Sequence, residues 1–276
     1  MQPPRPVFAL DYIGETVEFF EAGVATAARP DAVVDLDELW WAVDVLDAYF
    51  ARVASAAVDE YRSRFAAARD RIAARRDDAG SRVPYQRTDA APPVGYDDLL
   101  ALAMRRRSVR WFEQRPVDRA LIDQALLVAR QSPTACNRMP YEFRFFDDPE
   151  LVRKVAAVPF GAAGYAHNIP TIAVVVGQLD HYFSPRDRHV IYIDASLAAM
   201  GFMYALETLG LASSVINWPD FEPLERKMQK LLGLELHERP VMLIAVGHAD
   251  PDGLVAYSQK KELESFRSFN RWPGQS

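Results

Sequence analysis

Two stretches of this chain carry side chains of the kind that hold a polar ligand. The first is Arg105-Arg106-Arg107-Ser108-Val109-Arg110. Guanidinium groups present planar forks of donors that match phosphate oxygens, and the Ser108 hydroxyl adds another polar group. Arginines at a helix C-terminus also suit the helix dipole, so a solvated helix end is the competing reading. The second stretch is Ser132-Pro133-Thr134-Ala135-Cys136-Asn137-Arg138-Met139-Pro140, which leads into Tyr141-Glu142-Phe143. Pro133 and Pro140 stiffen its ends, and Asn137 offers both donor and acceptor groups. A ring system with amide-like edges needs that alternation, although an ordinary helix-to-strand connection has the same composition. Cys136 has nothing basic beside it except Arg138 and reads as a small buried side chain rather than a redox thiol. A looser third stretch, Ser258-Gln259-Lys260-Lys261-Glu262, offers either further cations for a phosphate or a surface charge pair.

Other chemistries lack their signatures. The five histidines show no metal spacing, and His237-Glu238-Arg239 lacks the second histidine of a zinc-protease motif. No metal site is expected. No GxGxxG follows a strand, and Gly161-Ala162-Ala163-Gly164 is not followed by Lys and Ser or Thr, which leaves dinucleotide and P-loop folds without support. A net charge of −6 argues against a nucleic-acid surface. A single cysteine excludes an intrachain disulfide and fits a reducing compartment. Asp11, Glu15 and Glu18 interrupt any leader-like run, and no run of about 18 apolar residues occurs. A cytoplasmic protein without a membrane segment is the expectation.

The elements that must position these stretches divide the 276 residues in two. From Leu36 to Arg76 there is no Gly or Pro, and apolar residues recur every three or four positions. Asp35 and Glu38 can form a capping box. The pattern is either one long arm or two helices broken near Ser55, with Trp40, Trp41, Tyr49, Phe50, Tyr61 and Phe65 requiring cover. Asp77 to Tyr96 has linker composition. Beyond it, Asp97 can cap a helix through Met104, and Asp118 can cap another whose apolar face is Leu121, Ile122, Ala125, Leu126 and Ala129. Tyr141–Phe146, Thr171–Val176, Ser213–Asn217 and Val241–Val246 read as strands. Asp148-Pro149-Glu150 starts a helix, Asp194 starts one that is apolar almost all round and stops at Gly210, and Pro223–Leu232 forms another closed by Gly233. Few strands, many helices and no regular alternation predict an α+β fold.

The order RRS, SPTACNRMPYEF, Asp194-Ala195-Ser196-Leu197-Ala198, Leu209-Gly210-Leu211, Val246-Gly247-His248 and Lys260-Lys261 resembles the FMN-dependent nitroreductase family over residues 97–270. The resemblance implies a central, mostly antiparallel sheet flanked by helices and an intertwined homodimer with FMN at its interface. It carries a helical extension and linker over residues 1–96 and a flavin domain over 97–276. It places Arg106, Arg107 and Ser108 on the FMN phosphate or ribityl groups, with Lys260 or Lys261 joining them. It brings Pro133, Thr134, Ala135 and Asn137 to the flavin of the other protomer, and sets Ile216, Asn217 and Trp218 where a backbone amide faces the flavin N5. Arg138 is a candidate for the N1–C2 edge. Met139, Tyr141, Met200-Gly201 and Ala212 depart from the family pattern, as does a short lid region, Gln178 to Ile193. The implied activity passes hydride from NAD(P)H through FMN to a small acceptor such as a nitroaromatic or quinone, with no catalytic side chain. The competing implications are a specialised biosynthetic dehydrogenase acting on a peptide or glycan intermediate, and a non-catalytic flavin-binding protein.

Overall fold

The computed structural model describes residues 5–32, 34, 36–73, 80–87 and 89–272. The chain falls into two units, Met1–Ala91 and Pro92–Ser276. The first contains α1 (Ile13–Ala27), α2 (Leu36–Arg52) and α3 (Asp59–Ile72). The apolar run from Leu36 is thus two helices, broken at Val53–Val58, where the Ser55 side chain accepts from the Ala57 amide. The sequence reading did not anticipate α1. Its stripe of Ile13, Val17, Phe20, Val24 and Ala27 is buried together with Trp40, Phe50 and Phe65 in a core of this unit's own. Arg64 clamps α3 to α1 through both carboxylate oxygens of Glu21. The proposed Asp35 cap lies outside the described residues.

The second unit runs α4 (Tyr96–Arg105), α5 (Arg119–Ala129), β1 (Tyr141–Phe146), α6 (Pro149–Ala156), β2 (Thr171–Gln178), α7 (Val190–Thr208), β3 (Ala212–Asn217), α8 (Glu222–Leu232) and β4 (Glu238–Gly247). The strands form one antiparallel sheet in the order β1-β2-β4-β3. β2 is apolar without alternation because both its faces are covered. Ile172, Val174 and Val176 face a core shared with α6 and α8, whereas Ala173 and Val175 face one shared with α5 and α7. β4 begins three residues before the predicted Val241. Its Pro240 pairs with Val176 at a register shift and lies beyond the end of β3, so the missing amide disrupts no ladder on that side.

Two predicted helix starts are corrected. Gly95, not Asp97, is the N-cap of α4, and Asp97 lies in the first turn, where its charge favours the dipole. α7 starts at Val190, so Asp194 is one turn inside the helix and buried. The caps at Asp118 and Asp148 form as expected, with Asp148 accepting from the amides of Glu150 and Leu151. The Pro185–Thr208 segment is long and apolar enough by length and composition to cross a bilayer, which a count of consecutive apolar residues overlooked. Half of its most apolar window is buried within the fold, and α7 packs on α5 and on the sheet.

Candidate functional site

The arginine cluster divides by role. Arg105, the last residue of α4, meets Glu207 near the end of α7 at 3.4 Å. The Glu207 side chain is only 7% exposed, and its burial pushes the carboxyl above the usual range, with Arg105 and Arg106 opposing that shift. Arg105 is therefore the helix-end arginine. Arg106 is the C-cap and turns to extended backbone. The chain then runs beside β3: Ser108 bridges Ser213 in parallel, and the Val109 amide donates to the Ser213 carbonyl at 3.0 Å. Arg107 donates from Nη1 to the Arg106 carbonyl. Among the described residues neither Arg106 nor Arg107 has a carboxylate partner. Two half-buried guanidinium groups, Arg106 close enough to Glu207 to oppose its raised pKa, and a hydroxyl are thus held on a main chain paired to the edge strand, a donor set that suits a phosphate dianion.

Among the described residues the outer edge of β3 has no strand partner beyond the bridge at Ser213. Ile216 and Trp218 are buried, and the Trp218 indole N–H donates to Glu225. Val215 and Asn217 present exposed side chains. The hydroxyls of Ser213 and Ser214 are buried without a hydrogen-bond partner. At the end of β4, a side chain on Gly247 would place a Cβ 2.7 Å from Pro170 and 2.8 Å from Phe112, so glycine lets the chain after Arg110 close over the sheet.

The second stretch is a tight, strained loop. Cys136, Asn137 and Met139 have φ of 54°, 55° and 46°. Asparagine tolerates this region, but the other two are disfavoured there. Cys136 is exposed, which corrects its reading as a buried side chain. Pro133 and Asn137 are exposed, and Thr134 and Ala135 are half-buried. Thr134 braces the loop from within, its hydroxyl accepting from the Met139 amide and its carbonyl from the Asn137 amide. The Ala135 amide donates to Asp194 Oδ2 at 2.9 Å, and the Tyr182 hydroxyl donates to the same oxygen at 3.0 Å. Burial raises the Tyr182 pKa, and the hydrogen bond to Asp194 raises it further. Arg138 donates to the His181 carbonyl at 2.6 Å and lies over the Tyr182 ring at 5.6 Å.

The structure brings Arg106, Arg107 and Ser108 beside the strand that carries Ile216 and Asn217. It does not bring them to the Pro133–Asn137 loop. The arginine cluster is tied to one end of α7 through Glu207, and the loop to the other through Asp194. At 1.5 Å of rise per residue those ends are about 20 Å apart. Lys260 and Lys261 lie on an exposed tail that follows the last contacts with the body, near Asp250, and among the described residues they pair with no carboxylate. A cleft of about 470 Å³ in this unit lies elsewhere, lined by Arg115, Asp147, Arg153, His167 and Thr171 among others. The described residues contain no cluster able to hold a metal ion. Sequence reasoning did not find Asp194, Tyr182 or Glu207 as parts of the site. Carboxylates in a largely apolar helix, Asp194 and Glu207 in α7, were the available signal, since such groups are buried only with partners.

The model of the nitroreductase family matches residues 103–163 and 159–248. The chain is similar to an NADH dehydrogenase of Thermus thermophilus, with 25% identity over 191 residues, 58% of this chain and 91% of that protein. It is also similar to human iodotyrosine deiodinase 1, with 22% identity over 195 residues, 60% of this chain and 66% of that one. Among solved structures, an FMN-dependent nitroreductase from Clostridium difficile superposes with a TM-score of 0.54 at 19% identity, covering 63% of this chain and 99% of that one. A nitroreductase family protein from Streptococcus pneumoniae gives 0.53 at 20% identity, covering 62% and 99%. These structural likenesses bear on the fold.

Proposed function

The chain belongs to the nitroreductase family, and on that premise we propose that it is an FMN-dependent oxidoreductase. It passes hydride from NAD(P)H to a small acceptor such as a nitroaromatic or a quinone. The observation that carries this reading is the pair of arginines, Arg106 and Arg107, held with Ser108 beside the edge strand β3. Arg106 and Arg107 neutralise the phosphate, and Ser108 contributes a hydroxyl. The main chain of Ile216 and Asn217 presents amides and carbonyls to the ring edge. Bound FMN supplies the hydride chemistry itself. The residues of the chain bind, orient and shield it, and no side chain is required as an acid or base.

We further propose that the functional unit is a homodimer. The two halves of the site sit at opposite ends of α7, so a second copy is needed to bring a Pro133–Asn137 loop to the cofactor held by Arg106. The tail beyond Asp250 supports this: Leu254, Tyr257, Leu263, Phe266, Phe269 and Trp272 are all exposed on it, and a second protomer would cover them. The same arrangement lets Lys260 or Lys261 reach a phosphate. The unit before Ala91 is assigned an accessory role, because every site residue lies beyond it. The exposed Cys136 thiol fits a cytoplasmic setting.

The test is the absorbance spectrum of the purified chain. A yellow protein with FMN near one per chain, bleached anaerobically by NADH or NADPH, is expected. A colourless protein that takes up no added FMN would overturn the reading. A chain lacking residues 1–91 should behave alike; a folded truncation that fails to bind FMN would make the first unit part of the site.

A further inference from the structure

We propose that Asp194 is a positioning residue: its one buried carboxylate locks the flavin-facing loop Thr134–Met139 to the turn around Tyr182. This rests on the assignment of that loop to a flavin. The carboxylate is 4% exposed and sits in a helix that is otherwise apolar at its buried positions. Such a group is tolerated only where its oxygens are satisfied, and Oδ2 accepts twice, from the Ala135 amide and from the Tyr182 hydroxyl. The two donors come from segments some forty-seven positions apart in sequence, Ala135 and Tyr182, and they share no other side-chain acceptor. A second tie runs the opposite way. Arg138, on the loop, donates to the His181 carbonyl and stacks over Tyr182. Loop and turn are therefore joined by two ties, one through the Asp194 carboxylate and one through the Arg138 guanidinium.

The helix face that carries Asp194 is a rail for this loop. One turn on, the Leu197 carbonyl accepts from the Ser132 hydroxyl at 3.2 Å. A further turn on, Gly201 allows Ser132 and Ala129 to approach, since a Cβ there would lie 3.3 Å from Ser132 Oγ and 3.5 Å from Ala129 Cα. Asp194, Leu197 and Gly201 recur at helical spacing and so share one face. The loop needs such support. Three of its residues hold left-handed backbone angles, a conformation that persists only when its surroundings over-determine it. Tyr141, the first residue of β1, has a buried hydroxyl without a partner, and the Asp194 charge reaches it and raises its pKa beyond the effect of burial.

The consequence is a division of effects. Breaking the Tyr182 bond should free the turn and leave the loop anchored. Breaking the Asp194 bonds should free both. The test measures hydrogen exchange in the full-length protein over the peptides spanning 132–139 and 179–187, together with steady-state kinetics. Tyr182→Phe should speed exchange in 179–187 alone and raise the acceptor KM with little change in kcat. Asp194→Ala should speed exchange in both peptides and lower kcat/KM by about ten- to a hundredfold, the range expected when reacting groups lose their alignment. Asp194→Asn keeps the side-chain volume and one acceptor oxygen and should recover part of both effects, which keeps the test open if the alanine variant folds poorly. Unchanged exchange over 132–139 in both Asp194 variants would overturn the proposal. The exchange readout does not depend on flavin. A protein that lacks flavin but shows the two exchange patterns would refute the assigned activity and leave the loop-to-turn tie standing.

Discussion

The two halves of the site are built in opposite ways. Arg106–Ser108 is fixed by main-chain pairing: it lies beside β3, and its one strong side-chain tether, Arg105 to Glu207, precedes it. Thr134–Met139 has no strand beside it and holds left-handed angles at three positions, and its anchor is a carboxylate from another element. The first half is ordered by the sheet and carries half-buried positive charge. The second is ordered by a few hydrogen bonds and tolerates backbone strain. The cation end of such a site is therefore robust and generic, whereas the end that faces the ring and the acceptor depends on a handful of named contacts.

The largest expected effect tests whether the halves need a second copy. Ending the chain after Gly253 removes Lys260, Lys261 and the exposed apolar tail but leaves the sheet intact. The truncated protein should be monomeric at micromolar concentration and lose FMN affinity by more than about a hundredfold, because an obligate dimer's stability is inseparable from association. Sedimentation with flavin absorbance measures both. A monomer with full occupancy would show that one protomer completes the site.

A smaller effect probes the sheet-built half. Charge-assisted hydrogen bonds contribute about 1.5–3 kcal/mol each, so Arg106→Ala should weaken FMN by about ten- to a hundredfold. Riboflavin, which lacks the phosphate, should bind almost as before. Equal losses for both ligands would make Arg106 a structural arginine and erase the contrast between the halves.

The smallest effect concerns Glu207. Burial holds its carboxyl above the usual range, so the native protein keeps that proton to higher pH than the unfolded chain does. Its contribution to stability is full below the unfolded pKa and is lost as pH rises through the folded one. Glu207→Gln has no such loss. Urea melts at several pH values, from about 4.5 upward, should show the variant gaining on the wild type as pH approaches 7. A difference that stays constant with pH would mean that Glu207 does not titrate differently on folding.

Much of the frame was legible because its signals are local. β1 matched to the residue, Asp148-Pro149-Glu150 opened α6, and Gly233 closed α8 with φ of 65°. The RRS segment was legible as a cation cluster, but which arginine serves the helix end and which stands free depends on Glu207, far along the chain. Asp194 was read as the start of a helix because it precedes the apolar run. Its burial inside α7 is a tertiary fact, set by donors at Ala135 and Tyr182 that no local pattern announces. α1 was passed over because its charges were read only as breaks in a leader, although its apolar residues recur at helical spacing. Cys136 was expected inside because cysteine usually is; a left-handed turn in an exposed loop turned it outward.

The length of α7 has a consequence for how this protein can vary. Its two ends hold different partners, Glu207 toward Arg105 and Asp194 toward Ala135, through one uninterrupted rod. Adding or removing a single residue between them would turn one end by about 100° relative to the other and shift it by about 1.5 Å. Neither partner could follow, since one is tied to the sheet edge and the other to a strained loop. Insertions and deletions are thus confined to the connections, such as the turns between β2 and α7 or the tail after Asp250, and descendants of this sequence can change acceptor or partner there while the rod between the two ends keeps its count.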